Sequence, residues 1–532
     1  MALSFVKLVA DFSNKAFVFD DTSSLDKLHC LQKISKTTFR LSNEFLEYHS
    51  LLLFTITHAQ NKAIFDLAQY ELNRLTAFLK KGKYASHPLL ADSGLPFTTM
   101  TTRYAPEVFN ELVAKKQVDI TLDSLGNDAF DLNAFCTISL PSVLKAETTA
   151  GLDNDSLMEV LGVAGNKKFE FLLNEINNIQ ASPLAKDYIW QSLNPFFCIT
   201  GKLAAFSKTY NRIAIPSVFY TQKLTKQFNH VELLDQALPK PTNLTKEVHQ
   251  ELVSVIQNTM TLAFREIDPI TYMDKKSLKF FHLSNGLSMA VFGMLPDRQL
   301  PLQSYVGYTL FKNGYPISYG GAWMFGKCAL FALNIFEEYR GGESKYVMTQ
   351  ILRVYRQLFN VCYFEVGPYQ IGNEDALQSG AFWFYHKFGF RPVEPDINKL
   401  ADDEVKKMGK DKSYKSSIQT LVQLAKGNIA LHIHNERFSH RNEVIYPIVH
   451  LITNKYKGNH GKAIQDAKAY FIKLVPGLKK RTAAEELVFE ELALWAYALK
   501  IKDQTKLNLM AQLIQYKPKD YIAYNQLISA II

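Results

Sequence analysis

The chain has 532 residues, which is too many for one hydrophobic core and predicts about two to four domains. Its composition, 47% hydrophobic and 21% charged, is typical of a folded globular protein and excludes a disordered one. The formal net charge is +9, but the basic residues are spread along the chain, so we expect solvated faces and no nucleic-acid interface.

Cysteine usage and hydropathy narrow the class of protein further. The five cysteines are far apart and lie mostly in apolar runs: Cys30, Cys136, Cys198, Cys328 and Cys362. They predict buried thiols in a reducing compartment, with no disulfide framework. No apolar run approaches the ~18 residues of a membrane helix, and the first residues lack the charged region and cleavage site of a signal peptide. We therefore expect a cytoplasmic protein with no membrane partner.

The first predicted domain, residues 1–147, is mainly helical. Apolar residues recur at three- and four-residue steps in 43–59 and 62–80, which predicts an antiparallel pair of helices. A loop rich in Thr, Gly, Asp and Asn follows at 148–156. That composition favours a domain boundary.

The second predicted domain, residues 157–236, mixes α and β patterns and connects the first domain to the third. Helical periodicity in 168–179 is followed by a strand-like segment at 213–220. The proline-containing stretch 237–243 is typical of a linker.

The third predicted domain, residues 245–396, carries the pattern on which the functional hypothesis depends. Thr245 stands where it can cap a helix. Later in the domain, two strand-like runs, 305–312 and 315–325, are separated by Asn313-Gly314. Asn-Gly is a strong hairpin signal, because both residues tolerate the positive φ that the turn requires.

A strand–helix–strand unit follows the hairpin. Residues 328–336 form an apolar run without Gly or Pro, which is typical of a strand buried on both faces. Apolar residues have helical spacing in 345–359, and a second apolar run spans 361–366. We expect the two strands to be parallel and their crossover to be right-handed.

The turn before that helix has the composition of an anion site. Its residues are Arg340, Gly341, Gly342, Glu343, Ser344 and Lys345. The first N–H groups of a helix are unpaired, and the helix dipole places roughly half a positive charge there. Glycine lets the backbone approach a ligand closely, and the Arg guanidinium is a planar, permanently charged partner for phosphate. The turn therefore predicts a bound phosphate.

This segment resembles the GNAT superfamily of N-acetyltransferases, which holds the pyrophosphate of coenzyme A on an Arg/Gln-x-x-Gly-x-Gly/Ala turn. The family's Ala-x-x-x-Tyr-x-x-x-Gly-Phe spacing is also matched, by Ala381, Tyr385, Gly389 and Phe390. The resemblance is limited to residues 245–396. It implies an α+β fold in which a central GNAT-like mixed sheet with helices lies between mainly helical N- and C-terminal regions.

The resemblance also implies a reaction, the direct transfer of an acyl group from acetyl-CoA or another acyl-CoA to an amine. The acceptor would be an amine-bearing small molecule or an amine of a peptide or protein. An amine of pKa ~10.4 must first lose its proton, at a cost of roughly 4.6 kcal/mol at pH 7.

Site residues follow from the same resemblance. Glu337 and Glu338 are the candidate bases, and Tyr385 matches the tyrosine that protonates the departing thiolate. The backbone amides of Gly341 to Lys345, with Arg340, would hold the pyrophosphate. Structural roles are the open alternatives: solvated loop carboxylates, a packed aromatic ring, and a tight turn with Ser344 as the helix cap.

An alternative hypothesis is a catalytically inactive GNAT-like module that acts in binding or scaffolding. In the alignment that starts at Arg340, Glu343 and Lys345 occupy the family's two small positions. A carboxylate ~4 Å from a phosphate charge repels it by roughly 4 kcal/mol at an effective dielectric of about 20. In this hypothesis Glu343 blocks the pyrophosphate site.

After residue 396 the chain is polar and lysine-rich, and a helical C-terminal domain is predicted for 416–532. His432 and His434 would share one face of a strand, with His440 nearby. No further ligand is evident beside them, so we predict no metal site. The sequence has no P-loop, no dinucleotide fingerprint and no local signature of a catalytic triad.

Overall fold

The computed structural model describes residues 4–20, 22–82, 84–126, 129–145, 148, 151–220, 224–340, 343–478 and 481–532. It is 54% helical and 14% strand, with an open mixed sheet, which confirms the predicted α+β class. Contacts divide the chain into two compact units. The first is Met1–Leu224, Leu244–Thr271 and Lys312–Pro316, and the second is Thr225–Asn243, Tyr272–Phe311 and Ile317–Ile532.

Twelve helices are described up to residue 271, and all except the tenth belong to the first unit. In chain order they are α1 (Phe5–Ala16), α2 (Ser23–Ile34), α3 (Asn43–Thr57), α4 (Lys62–Gly82), α5 (Pro106–Lys115), α6 (Leu132–Ser139), α7 (Asn154–Val160), α8 (Lys167–Asn178), α9 (Pro183–Leu193), α10 (His230–Asp235), α11 (Lys246–Leu262) and α12 (Asp268–Thr271). The predicted helix pair is confirmed, because α3 and α4 pack together. Thr245 caps α11 as expected, accepting a hydrogen bond from Val248 N.

The first unit also holds a small antiparallel sheet. Its strands are β1 (Thr99–Thr102), β2 (Val118–Leu125) and β3 (Pro195–Gly201), with β3 in the centre. The strand expected at 213–220 is wrong, since those residues join no ladder. Pro216 lies in the middle of that run, and proline removes a ladder donor.

Lys27 on α2 is buried among aromatic rings of the first unit. The residue is 2% exposed, and its Nζ lies 3.6 Å from the centroid of the Phe19 ring. That ring is 6.3 Å from the ring centroids of Phe54 and Tyr220. Burial lowers the pKa of Lys27 from 10.5 to about 7, because the charged form loses its hydration, and the Asp20 charge opposes the shift.

Replacing Lys27 by Met should stabilise the first unit, most strongly at low pH. A lysine whose native pKa is depressed destabilises the fold fully below pH 7, and stability returns as the pH rises from about 7 towards 10.5, since only the unfolded state keeps the proton there. At about 1.4 kcal/mol per pKa unit, the gain at pH 6 is a few kcal/mol.

Urea denaturation at pH 6 and pH 9 measures this gain. The control is Lys33→Met, because Lys33 is exposed on the same helix. If Lys27→Met raised the free energy of unfolding equally at both pH values, the depressed pKa of the buried Lys27 would be contradicted.

The second sheet has eight strands. They are β4 (Lys279–His282), β5 (Leu287–Gly293), β6 (Ser304–Lys312), β7 (Tyr315–Phe325), β8 (Cys328–Ile335), β9 (Tyr363–Val366), β10 (Arg391–Pro392) and β11 (Ile429–His432). Their order is β10-β11-β9-β8-β7-β6-β5-β4. As predicted, β6 and β7 are joined at Asn313-Gly314, whose φ angles are 47° and 83°. Strands β8 and β9 are parallel, which confirms the predicted strand–helix–strand unit.

The remaining helices follow or connect these strands. They are α13 (Ser344–Phe359), α14 (Pro368–Gly372), α15 (Glu374–Ser379), α16 (Ala381–Phe388), α17 (Pro395–Lys410), α18 (Ile418–Leu424), α19 (Asn442–His450), α20 (His460–Leu474), α21 (Ala483–Ala498), α22 (Gln504–Tyr516) and α23 (Tyr521–Ile531). The polar segment after residue 396 forms α17, whose first turn begins at a proline. The sheet continues beyond residue 396, because β11 pairs with both β9 and β10.

The C-terminal helices share a core that includes Phe471, Phe489 and Trp495. The cysteines of the chain are free thiols, buried at four positions and half-buried at Cys198. Among the described residues, no helix combines the length and the hydropathy needed to cross a bilayer.

Candidate functional site

The site that the sequence predicts lies where β8 ends and α13 begins. Strand β8 pairs with β7 from Cys328 to Ile335. Its pairing with β9 is much shorter and covers Cys328–Leu330. Of the described residues of β8, those from Phe331 to Ile335 therefore pair with β7 alone. We call residues 331–335 the open edge of β8. It lies towards the carboxyl ends of two parallel strands, where open α/β sheets bind their ligands.

Two glycines of β7 leave room for aromatic side chains on both faces of the sheet. A Cβ added at Gly320 would lie 2.1 Å from Ala332 O and 2.9 Å from the Tyr308 hydroxyl. A Cβ at Gly321 would lie 2.3 Å from a ring atom of Tyr305. The two residues must therefore be small, because tyrosine side chains and backbone fill the space that a methyl group would need.

Arg340 is held by its own chain. Its Nε donates to Ile335 O at 2.9 Å, and its Nη1 and Nη2 donate to the Asp375 carboxylate at 3.3 and 3.0 Å. The two side chains are 35% and 56% exposed. An ion pair that is exposed to this degree contributes at most about 1 kcal/mol, so another anion at the same guanidinium would displace Asp375 at little cost.

Gly341 and Gly342, which were predicted to bind pyrophosphate, lie outside the described residues. Helix α13 begins at Ser344, one residue before the predicted start, and Glu343 is its N-cap residue. The Glu343 side chain makes no cap hydrogen bond, and because Ser344 lies inside the helix, the alternative in which Ser344 is the helix cap is wrong. The N-cap side chain therefore does not satisfy the first N–H groups of α13, as it commonly does at a helix start.

The Glu343 side chain is turned to a different partner. Glu343 is 3% exposed, and its Oε1 accepts a hydrogen bond from Thr225 N at 2.7 Å. The carboxylate makes no cap bond to α13. Lys345, by contrast, is exposed, and its Nζ lies 5.7 Å from the centroid of the Phe228 ring.

The three predicted catalytic residues lie in different surroundings. Glu337 is exposed and Glu338 is half-buried, in the short turn that follows β8. Tyr385 on α16 is 3% exposed, and its ring packs on Phe390 with the centroids 5.2 Å apart. Burial raises the pKa of Tyr385, which keeps the phenol protonated and able to donate.

Two residues that hold the predicted site, Thr225 at Glu343 and Asp375 at Arg340, carry no functional signal in the sequence. Thr225 acts through its backbone N–H, and a backbone contact leaves no signature in residue type. Asp375 lies in the first turn of α15, where an acidic residue is common because it favours the helix dipole. Neither position therefore stands out before the chain is folded.

The three histidines considered as metal ligands each have a different hydrogen-bonding partner. Their partners differ: His432 with Glu436 O at 2.8 Å, His434 with the Asp235 carboxylate at 2.6 Å, and His440 with the Glu365 carboxylate at 3.3 Å. Within the described parts of the chain, no group of three or more His, Cys, Asp or Glu side chains is placed to hold a metal ion.

Comparison with known proteins adds no assignment. No protein-family model, no curated protein and no solved structure matches this chain. The function is therefore argued from the geometry described above.

The close fit at Gly320 predicts the effect of a substitution. Gly320→Ala should lower the free energy of unfolding by about 1–3 kcal/mol, because the new methyl group overpacks against the backbone of β8. The midpoint of urea denaturation measures the loss. Gly409→Ala is the control, since nothing lies within 4 Å of a Cβ at this helical position, and it should stabilise by up to about 1 kcal/mol. Equal effects of the two substitutions would contradict the packing at β7.

Proposed function

We propose that the eight-stranded sheet, α13 and α16 form a GNAT-like acyl-CoA-dependent N-acyltransferase domain. The observation that carries this proposal is the open edge of β8 together with the start of α13, which follows it in the chain and where the N-cap residue Glu343 makes no side-chain cap hydrogen bond. An open strand edge offers room for an extended ligand beside the sheet. An uncapped helix start attracts the negative charge of a ligand.

The residues present fit an anionic co-substrate. Arg340 and the backbone N–H groups of Ser344 and Lys345 would hold the pyrophosphate of an acyl-CoA, together with Gly341 and Gly342 if these act as the sequence predicts. The bound co-substrate would supply an acyl group activated as a thioester. For the pyrophosphate to bind, the Glu343 carboxylate, which now accepts a hydrogen bond from Thr225 N, must move away from the helix start, because it repels the phosphate charge.

The chain's own side chains would manage protons. Glu337 and Glu338 would take the proton of the acceptor amine, directly or through water. Tyr385 would supply a proton to the leaving sulfur, because burial keeps its phenol neutral. The acceptor in this proposal is an amine of a small molecule, peptide or protein.

A second candidate function is a catalytically inactive GNAT-like module that binds or scaffolds. Two observations favour it: the carboxylate of Glu343 is buried beside the helix start, and Arg340 is already paired with Asp375. Burying a phosphate charge near a carboxylate is costly, because the two negative charges repel each other. The two candidates differ in whether coenzyme A binds at all.

Thermal denaturation with millimolar acetyl-CoA tests the proposal. Binding should raise the midpoint, and at about 100 times Kd a one-site ligand stabilises the native state by roughly 2.7 kcal/mol. Arg340→Ala should abolish most of this shift, because the guanidinium is the planar, permanently charged partner for phosphate in the predicted turn. Asp375→Ala, which frees the guanidinium, is the matched control and should preserve or increase it.

Adenosine, which lacks the pyrophosphate, should leave the midpoint unchanged. A midpoint that acetyl-CoA does not move, in the wild-type protein or in Asp375→Ala, would contradict the transferase and favour the scaffolding module.

A further inference from the structure

The segment 225–237 contacts α13 from its first turn to its last two turns, and we call this segment the strap. Its first residue makes two contacts. The N–H of Thr225 donates to Glu343 Oε1 at 2.7 Å, and its Oγ1 accepts a hydrogen bond from Asn285 Nδ2 at 2.9 Å. Backbone and side chain of Thr225 are thus both fixed.

The strap next packs on the first turn of α13. The rings of Phe228 and Tyr346 meet edge to face, with centroids 5.4 Å apart. The Lys345 Nζ lies 5.7 Å from the centroid of the Phe228 ring, and the His230 ring is 5.0 Å from that of Phe388. The strap therefore packs beside the first turn of α13, whose N–H groups would receive a phosphate.

The far end of the strap is anchored more strongly. Gln357 Nε2 donates to Leu234 O at 3.0 Å, and Arg353 Nε donates to Gln236 O at 2.9 Å. Arg356 pairs with the Asp235 carboxylate at 2.7 Å. These contacts come from the last two turns of α13. The end at Thr225, where the phosphate would bind, depends on Glu343 and Asn285.

We propose that the strap is an autoinhibitory latch, in which the hydrogen bond between Glu343 and Thr225 holds it beside the start of α13. The inference rests on the proposed function and names the regulation of the same site. When the latch opens, the strap pivots about its anchored end and frees the Glu343 carboxylate to leave the first N–H groups of α13, beside which Lys345 is already exposed. A pyrophosphate-bearing nucleotide is the ligand that these groups recognise.

The latch explains why a carboxylate stands at a site for anions. Glu343 and a phosphate compete for the positive end of one helix, so the carboxylate favours the empty, closed state. Its hydrogen bond to Thr225 N couples that state to the position of the strap. A ligand that binds the open state more tightly shifts the equilibrium towards it by its differential affinity.

The test removes the donor while keeping the carboxylate. Thr225→Pro deletes the N–H whose hydrogen bond Glu343 accepts. Thr225→Ser keeps both the N–H and the hydroxyl, and Gln227→Pro places a proline two residues further on, at an exposed position. The measurements are the Kd for coenzyme A by calorimetry and the hydrogen exchange of the strap amides.

Thr225→Pro should accelerate exchange in the strap and tighten coenzyme A binding by about tenfold or more, as expected from the loss of one hydrogen bond to a charged group. Thr225→Ser and Gln227→Pro should bind as the wild type does. Saturating coenzyme A should also accelerate strap exchange in the wild-type protein. Asn285→Ala is a second latch variant, for use if the proline prevents folding, and should shift both readouts in the same direction.

Two results would overturn the inference in distinguishable ways. If Thr225→Pro accelerates strap exchange and the protein binds coenzyme A with unchanged affinity, the latch does not inhibit, although the proposed function stands. If neither the wild-type protein nor any latch variant binds coenzyme A, the proposed function fails and the latch fails with it.

Discussion

The positive end of α13 is the constraint on which this account depends. A helix of 16 residues follows the open edge of β8 in the chain, and its N-cap residue, Glu343, makes no side-chain cap hydrogen bond. Unpaired N–H groups and the helix dipole make that position favourable for negative charge. Glu343, Arg340 and the strap each bear on what fills it. The contacts of these groups within the chain close the site. The positive end of the helix still favours an anion there.

The balance between the two candidate functions lies in the energies of those contacts. The pair between Arg340 and Asp375 is largely exposed, and such a pair contributes little to stability. The Glu343 carboxylate is buried and accepts a hydrogen bond from Thr225 N, and breaking a hydrogen bond to a buried charged group is expensive. An incoming phosphate can therefore displace the first contact easily. Displacing the contact between Glu343 and Thr225 requires the strap to move. The transferase and the catalytically inactive module differ at this step.

Much of this fold could be predicted from apolar spacing, because α3, α4, α13, β6, β7 and β8 have clear periods and clear ends. Two elements of secondary structure could not be predicted in this way. The lysine-rich α17 buries few residues, so it carries a weak pattern, and β10 is a strand of two residues. The segment at 213–220 has strand-like composition but holds Pro216, and here the backbone overrides side-chain preference.

The composition of the candidate site could be predicted from the sequence, but its hydrogen bonds could not. The residues of the turn indicate an anion site before folding, whereas the hydrogen bond from Thr225 N to Glu343 joins residues 118 positions apart through a backbone group. The most direct test is to titrate isotope-labelled protein with coenzyme A while following the backbone amide resonances of Ser344 and Lys345. The account predicts that both resonances shift with one common Kd. If neither moves at saturating ligand, the start of α13 is not an anion site.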